Sequence, residues 1–133
     1  MRRVLDTNVF VSALLAPGSK LRAAVDRVHQ KGTILLSFAT LTELYEVLSR
    51  EQFRRYIDKE DIRHFLAALT REAHWVDVDV QISACRGPKD DKFLSLAVSG
   101  QATHIATGDA DLLALHPFQE IRILAPSEFL EAL

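Results

Sequence analysis

Short apolar runs that end at a polar or acidic residue and then turn helical constrain the fold of this chain most. Arg3-Val4-Leu5 ends at Asp6 and gives way to a helical stretch over Val9–Leu15. His104-Ile105-Ala106-Thr107 ends at Gly108-Asp109 and gives way to a helical turn over Leu112–Leu115, closed by Pro117. Thr33–Leu36, Trp75–Val78 and Ile121–Leu124 read as further strands. Helices are predicted over Leu21–Gln30, Ser37–Arg50, Gln52–Ile57, Asp61–Ala73, Lys92–Ser99 and Ser127–Leu133. In the Ser37–Arg50 helix Phe38, Leu41, Leu44, Tyr45 and Leu48 recur at helical spacing as one apolar face. Five short strands separated by helices predict an α/β domain, with a parallel sheet covered by helices on both faces. A length of 133 residues fits one domain, 1–133, with a core that needs no staples.

Acids recur in four places: Asp6, Glu43, Asp90-Asp91, and Asp109 with Asp111. Three of the four sit where a strand-like run gives way to a helix. In an open parallel sheet such positions share one edge, at the carboxyl ends of the strands, where sites form. Carboxylates gathered there repel unless a cation lies between them. Hard oxygen donors suit Mg²⁺ or Mn²⁺, which points to a metal-dependent phosphodiesterase site.

Each acid also has a plainer role. Asp6 and Asp109 are well placed to cap helices, as is one of Asp90-Asp91. Thr40-Leu41-Thr42-Glu43 matches a capping box, unless Ser37 is the cap. Glu46 stands four before Arg50 in the favourable order for a surface pair, so Glu43 is the better site candidate. Thr7 and Asn8 add polar oxygens beside Asp6 and are candidates to orient it or hold water. Lys89 and Lys92 flank the adjacent aspartates as charge balance, and Gly108 is expected to let backbone approach the site closely.

The net charge of −2 carries no global signature of nucleic-acid binding, but the distribution is uneven. Residues 1–63 hold 11 Lys and Arg against 8 Asp and Glu, a net of +3; residues 64–133 hold 5 against 10, a net of −5. Arg50, Arg54, Arg55, Lys59 and Arg63 cluster around one helical region, as a solvated face or a patch for a phosphate backbone. Cys85 is the only cysteine, so no intrachain disulfide forms, which fits a cytoplasmic location. The apolar run after Arg2-Arg3 is interrupted by Asp6 and Asn8 and is too short to cross a bilayer, so no membrane association is expected. The five histidines lack metal-ligand spacing, and there is no nucleophile elbow, P-loop or dinucleotide fingerprint.

Leu5-Asp6-Thr7-Asn8-Val9, Thr42-Glu43-Leu44, Asp90-Asp91-Lys92-Phe93-Leu94 and Thr107-Gly108-Asp109-Ala110-Asp111-Leu112-Leu113, in that order, resemble the motifs of the PIN domain. The closing Ile123–Leu130 resembles that family's last strand and helix, so the likeness spans essentially the whole chain. It is nearest the small stand-alone prokaryotic PIN proteins of toxin–antitoxin pairs, similar to VapC. The resemblance implies a three-layer α/β/α fold and a Mg²⁺- or Mn²⁺-dependent endoribonuclease. By carry-over Asp6 is the first metal ligand, Glu43 the second acid, Asp91 the third with Asp90 as its substitute, and Asp109 the fourth. Asp111 supports the site or binds a second ion, and Thr7, Asn8 and Thr107 orient the acids or hold water. The implied chemistry is attack of metal-activated water on RNA, leaving 5′-phosphate and 3′-hydroxyl ends. Arg50, Arg54, Arg55 and Lys59 are candidates to contact the RNA backbone. The implied partners are a small antitoxin protein and a second copy of the chain.

Two other readings compete. A haloacid-dehalogenase-type phosphatase also begins with Asp after a strand. It expects Asp where this chain has Asn8, and a further Asp where it has Leu112 and Leu113. A non-catalytic RNA- or protein-binding module would use the acids only as caps and ion pairs.

Overall fold

The structure is a computed structural model that describes residues 1–15, 26, 32–53, 55–84 and 88–128. Its strands are β1 (Arg2–Leu5), β2 (Thr33–Leu36), β3 (His74–Trp75), β4 (His104–Ala106) and β5 (Arg122–Leu124). Its helices are α1 (Thr7–Leu15), α2 (Phe38–Leu48), α3 (Lys59–Glu72), α4 (Asp91–Ser99) and α5 (Ala110–Leu113). The five strands form one sheet in the order β3-β2-β1-β4-β5, and every pairing is parallel. Val4 pairs with Ile105 and Leu5 with Ala106 at the sheet centre.

Strand alternation divides the core in two. Leu5, Ile34, Leu36, Ala106 and Leu124 face a cluster with Phe10, Leu14, Leu44, Leu48 and Leu69 from α1, α2 and α3. Val4, Leu35, Ile105 and Ile123 face the opposite cluster, with Phe93, Leu94, Leu96 and Leu112 from α4 and α5. Strands β1, β2, β4 and β5 are thus apolar on both faces, as a sheet covered on both sides requires, and the α/β/α layering follows.

Several elements differ from expectation. Trp75–Val78 shortens to the two-residue edge strand β3, and residues 76–84 have no regular structure. The Gln52–Ile57 helix is a 3-10 turn, Glu51–Phe53. Helix α3 starts earlier than expected, with Asp58 as its N-cap accepting from the Glu60 amide at 3.1 Å. On α2 the apolar face is narrower than its spacing suggests: Leu44 and Leu48 are buried, while Phe38 is 82% and Tyr45 59% exposed. The Leu21–Gln30 helix, apart from Asp26, the turn at Pro17-Gly18-Ser19, Cys85, Arg54 and the end of the closing helix beyond residue 128 lie outside the described residues.

Candidate active site

Strand order reverses between β1 and β4: β2 and β3 extend the sheet on one side of β1, β4 and β5 on the other. Such a switch point leaves a crevice at the carboxyl ends of the two central strands. Asp6 follows β1 there, and Thr107 and Asp109 follow β4. The Asp6 amide donates to the Ala106 carbonyl at 2.9 Å, which ties the two strand ends together.

Asp6 is buried, and its Oδ2 accepts a 2.7 Å hydrogen bond from the Thr107 hydroxyl. The same Thr107 oxygen accepts the Asp109 amide at 3.0 Å. Thr107, fully buried, therefore links the acids that follow the two central strands. Burial pushes the Asp6 carboxyl up, and the negative charges of Glu43 and Asp109 push the same way. The Thr107 hydroxyl and the Asn8 amide oppose this in part. As a cap Asp6 is weak, since its side chain reaches only the Asn8 amide, at 3.4 Å. Asn8 itself is exposed.

Asp109 does cap α5: its Oδ1 accepts the amides of Asp111 at 2.7 Å and Leu112 at 3.3 Å. Half-buried Asp111 contributes its amide to that cap. Gly108 has open space where a Cβ would stand, so it relieves no crowding, contrary to expectation.

The adjacent aspartates diverge. Asp90 ends a 3-10 turn, Pro88–Asp90, and is the N-cap residue of α4 but makes no side-chain cap bond. Burial and the neighbouring charges of Asp109 and Asp6 raise its carboxyl to about 6, and hydrogen bonding to Asp109 adds to the rise. Asp91 instead accepts the Ala84 amide at 3.1 Å, on the irregular segment before α4. Asp90 is coupled in charge to Asp6 and Asp109. Neither aspartate follows a strand.

Glu43 reaches the site from the second turn of α2. Ser37 is the cap of that helix, with Thr40 completing a reciprocal box, so Glu43 has no capping role. Its Oε2 accepts the Thr7 hydroxyl, and its Oε1 is 2.7 Å from Lys92 Nζ. Lys92 is the residue that sequence reasoning missed, having treated it as balance for its aspartate neighbours. A signal was there: a cation in the first turn of a helix opposes the helix dipole and needs a partner.

The basic cluster begins beyond the end of α2, about 7–8 Å of helix past Glu43. Arg50, Arg55, Lys59 and Arg63 are exposed, and Arg63 pairs with Glu60 at 3.2 Å. His116 is structural, its Nδ1 accepting the Ile123 amide at 2.9 Å.

Among the described residues, no three His, Cys, Asp or Glu side chains close around a point as a preformed metal cage. The donor set still fits a hard divalent cation. Mg²⁺ commonly takes one or two carboxylates and keeps several waters. Asp6, Asp90 and Asp109 present carboxylates, and those of Asp6 and Asp90 are raised first by burial and then by neighbouring negative charge.

The comparisons with known proteins agree with this architecture. The sequence profile of the PIN domain matches residues 2–111. An uncharacterized protein of Methanocaldococcus jannaschii is 28% identical, over 96% of this chain and 88% of its own. VapBC2 from Rickettsia felis, solved bound to a promoter DNA fragment, has a chain that superposes with a TM-score of 0.64. It is 17% identical, over 94% of this chain and 98% of that one. VapBC-1 from nontypeable Haemophilus influenzae gives a TM-score of 0.62 at 18% identity, over 96% and 99%. Mycobacterium tuberculosis VapC20, described as a sarcin-ricin loop cleaving toxin, gives 0.52 at 16% identity, over 90% and 98%. With this profile match over residues 2–111, the chain belongs to the PIN domain family.

Proposed function

We propose that this protein is a divalent-metal-dependent endoribonuclease and the toxin of a toxin–antitoxin pair. The observation that carries the reading is the Thr107 hydroxyl joining buried Asp6 to the Asp109 amide at the switch point, with Glu43 and Asp90 beside them in charge. Asp6, Asp90 and Asp109 would hold Mg²⁺ or Mn²⁺. When bound, the ion supplies charge neutralisation at the phosphate and lowers the pKa of water.

The chain's own residues do the rest. Thr107 aims Asp6 through its hydroxyl. Thr7 fixes Glu43 from the start of α1, and Asp109 holds the α5 turn in place. Exposed Arg50, Arg55 and Lys59 supply positive charge for an RNA backbone, and Arg54 belongs to the same sequence cluster. Asp91 and Asp111 flank the cluster as supporting acids, with Asn8 beside it.

A small antitoxin is the proposed protein partner. Its support, besides the likeness to VapBC structures, is an open groove of about 600 Å³ between α2 and α3. Tyr45, Leu48, Ile57, Ile62 and Leu66 line it, along with Lys59 and Arg63. Such a lining suits the apolar face of an amphipathic helix that carries acidic residues. A homodimer and a cytoplasmic location complete the reading. No helix among the described residues is long and apolar enough to cross a membrane.

The test is incubation of partner-free protein with 5′-labelled single-stranded and structured RNAs in Mg²⁺, Mn²⁺ or EDTA. Cleavage in either metal, abolished by EDTA and leaving 3′-hydroxyl ends, is expected. EDTA-resistant cleavage, or 2′,3′-cyclic phosphate ends, would contradict a hydrolytic metal site.

A further inference from the structure

Residues 76–83 alternate like a strand, with Val76, Val78, Val80 and Ile82 set between Asp77, Asp79, Gln81 and Ser83. Among the described residues, 77–84 nevertheless make no backbone–backbone hydrogen bond. This strap takes its partners from side chains of α4 instead. The Val80 amide donates to Ser99 Oγ at 3.1 Å, the Ile82 amide to Ser95 Oγ at 2.9 Å and the Ala84 amide to Asp91 Oδ1 at 3.1 Å. The acceptors stand at every fourth position of the helix and the donors at every second position of the strap, in the opposite direction. The two spacings match, since four helical residues rise about 6 Å and two extended residues span about 6.6 Å. One stripe of α4 thus serves as the neighbouring strand that this segment lacks. Ser95 is buried, and Val76 and Ile82 pack against the core that α4 covers, which seats the strap. Its last rung ends on an acid, Asp91, in the first turn of α4.

We infer that Ser95 and Ser99 are positioning residues for Asp91: they pin the strap so that the Ala84 amide meets Asp91 Oδ1 and holds that carboxyl in one orientation. Ser99 stands about 12 Å along the helix from Asp91, so it reaches that acid only through the strap. The inference rests on the reading of Asp91 as a supporting acid of the nuclease site, and adds what orients it.

Amide hydrogen exchange followed by nuclear magnetic resonance on the full chain reads the ladder without reference to cleavage. The wild type, Ser95→Ala, Ser99→Ala and Ser99→Thr are compared, each checked for folding by thermal melting, and kcat and KM for RNA cleavage in Mg²⁺ are measured on the same proteins. In the wild type the amides of Val80, Ile82 and Ala84 are expected to be better protected than those of Gln81 and Ser83. Ser95→Ala should speed exchange at Ile82 and also at Ala84, by roughly 2- to 10-fold, the range for one lost hydrogen bond. Ser99→Ala should do so at Val80 and, more weakly, at Ala84, while Ser99→Thr, which keeps the hydroxyl, should restore both. Ser99 is only half-buried, so its variants carry the comparison if Ser95→Ala does not fold. In Ser95→Ala kcat should fall by roughly tenfold with KM unchanged, because an acid is misaligned while RNA binding is not. Equal protection along residues 80–84 of the wild type, or an Ala84 amide as protected in the folded serine-to-alanine variants as in the wild type, would overturn the inference. So would faster Ala84 exchange with kcat unchanged in a chain that cleaves. A wild type that shows the ladder and its response to these substitutions, yet cleaves no RNA, would remove the nuclease reading and leave the strap's hold on Asp91 standing.

Discussion

The Thr107 hydroxyl donates to Asp6 Oδ2 at 2.7 Å while its oxygen accepts the Asp109 amide at 3.0 Å. One fully buried side chain on β4's exit thus sets the orientation of the acid that leaves β1. Thr107→Val keeps the shape and removes both bonds. It is expected to cost about 1–3 kcal/mol of stability, because a buried carboxylate loses its partner. Cleavage should fall by roughly 10–100-fold. The Thr107 bond holds the Asp6 carboxyl down against burial, so its loss should move the acid limb of the pH–rate profile to higher pH. A pH series on both proteins reads that shift, which a loss of packing alone would not produce.

Metal-free stability carries a pH signature. The folded Asp90 carboxyl sits near 6, against 3.8 as its ordinary value, so the native state keeps a proton that the unfolded chain has released. Its contribution is therefore full below about pH 3.8 and lost as pH rises through about 6. Asp6 is displaced in the same direction. Melting in EDTA should show wild type and Asp90→Asn converging at low pH. By pH 7 the variant should be the more stable by about 1 kcal/mol, a figure discounted for solvent screening. Saturating Mg²⁺ or Mn²⁺ should reverse that order, since the ion binds the ionised carboxylates and stabilises only the folded chain.

Gly100 and Gly108 separate a packing role from an expected one. A Cβ on Gly100 would stand 2.8 Å from Leu35 Cδ1 and 3.1 Å from the Leu96 carbonyl oxygen. The Gly100 carbonyl also accepts Arg2 Nε at 2.8 Å, fastening the end of α4 to β1. Gly100→Ala should cost about 1–3 kcal/mol by overpacking. Gly108→Ala meets open space and should stay within about 0.5 kcal/mol of wild type. Urea denaturation of the pair measures the contrast.

Helix α2 offers a similar contrast between its faces. Leu44 is buried in the core, and Leu44→Ala should cost about 2–5 kcal/mol. Phe38, at 82% exposure, should be replaceable by Ser within about 0.5 kcal/mol. If Phe38→Ser unfolds the protein to the same degree as Leu44→Ala, the outward placement of that aromatic is wrong.

Much of this arrangement was legible in the residues. Apolar strands shielded on both faces, such as Val4-Leu5 and Ile105-Ala106, announced a covered parallel sheet, and Asp6 and Asp109 follow the two strands between which its order reverses. Ser37 is the cap of α2, so Glu43 has no capping role, as its alternative reading allowed. Pairwise relations across the fold were not legible. Periodicity could not tell that Phe38 and Tyr45 fall outside the buried stripe of α2, because that depends on where α3 packs. Nothing local in the sequence distinguishes Asp90, whose carboxyl is raised by burial and by Asp109, from Asp91, which accepts the Ala84 amide. Lys92 and Glu43 are 49 residues apart and meet only through the packing of α2 beside α4.

The most direct measurement is cleavage of labelled RNA by wild type and Asp6→Asn side by side, in Mg²⁺, Mn²⁺ and EDTA, with both proteins shown to be folded. The account predicts metal-dependent cutting by the wild type and its loss in Asp6→Asn, whose amide cannot supply the anionic oxygen next to Thr107. Equal cutting by both proteins, or cutting that persists in EDTA, would contradict a metal site built on Asp6.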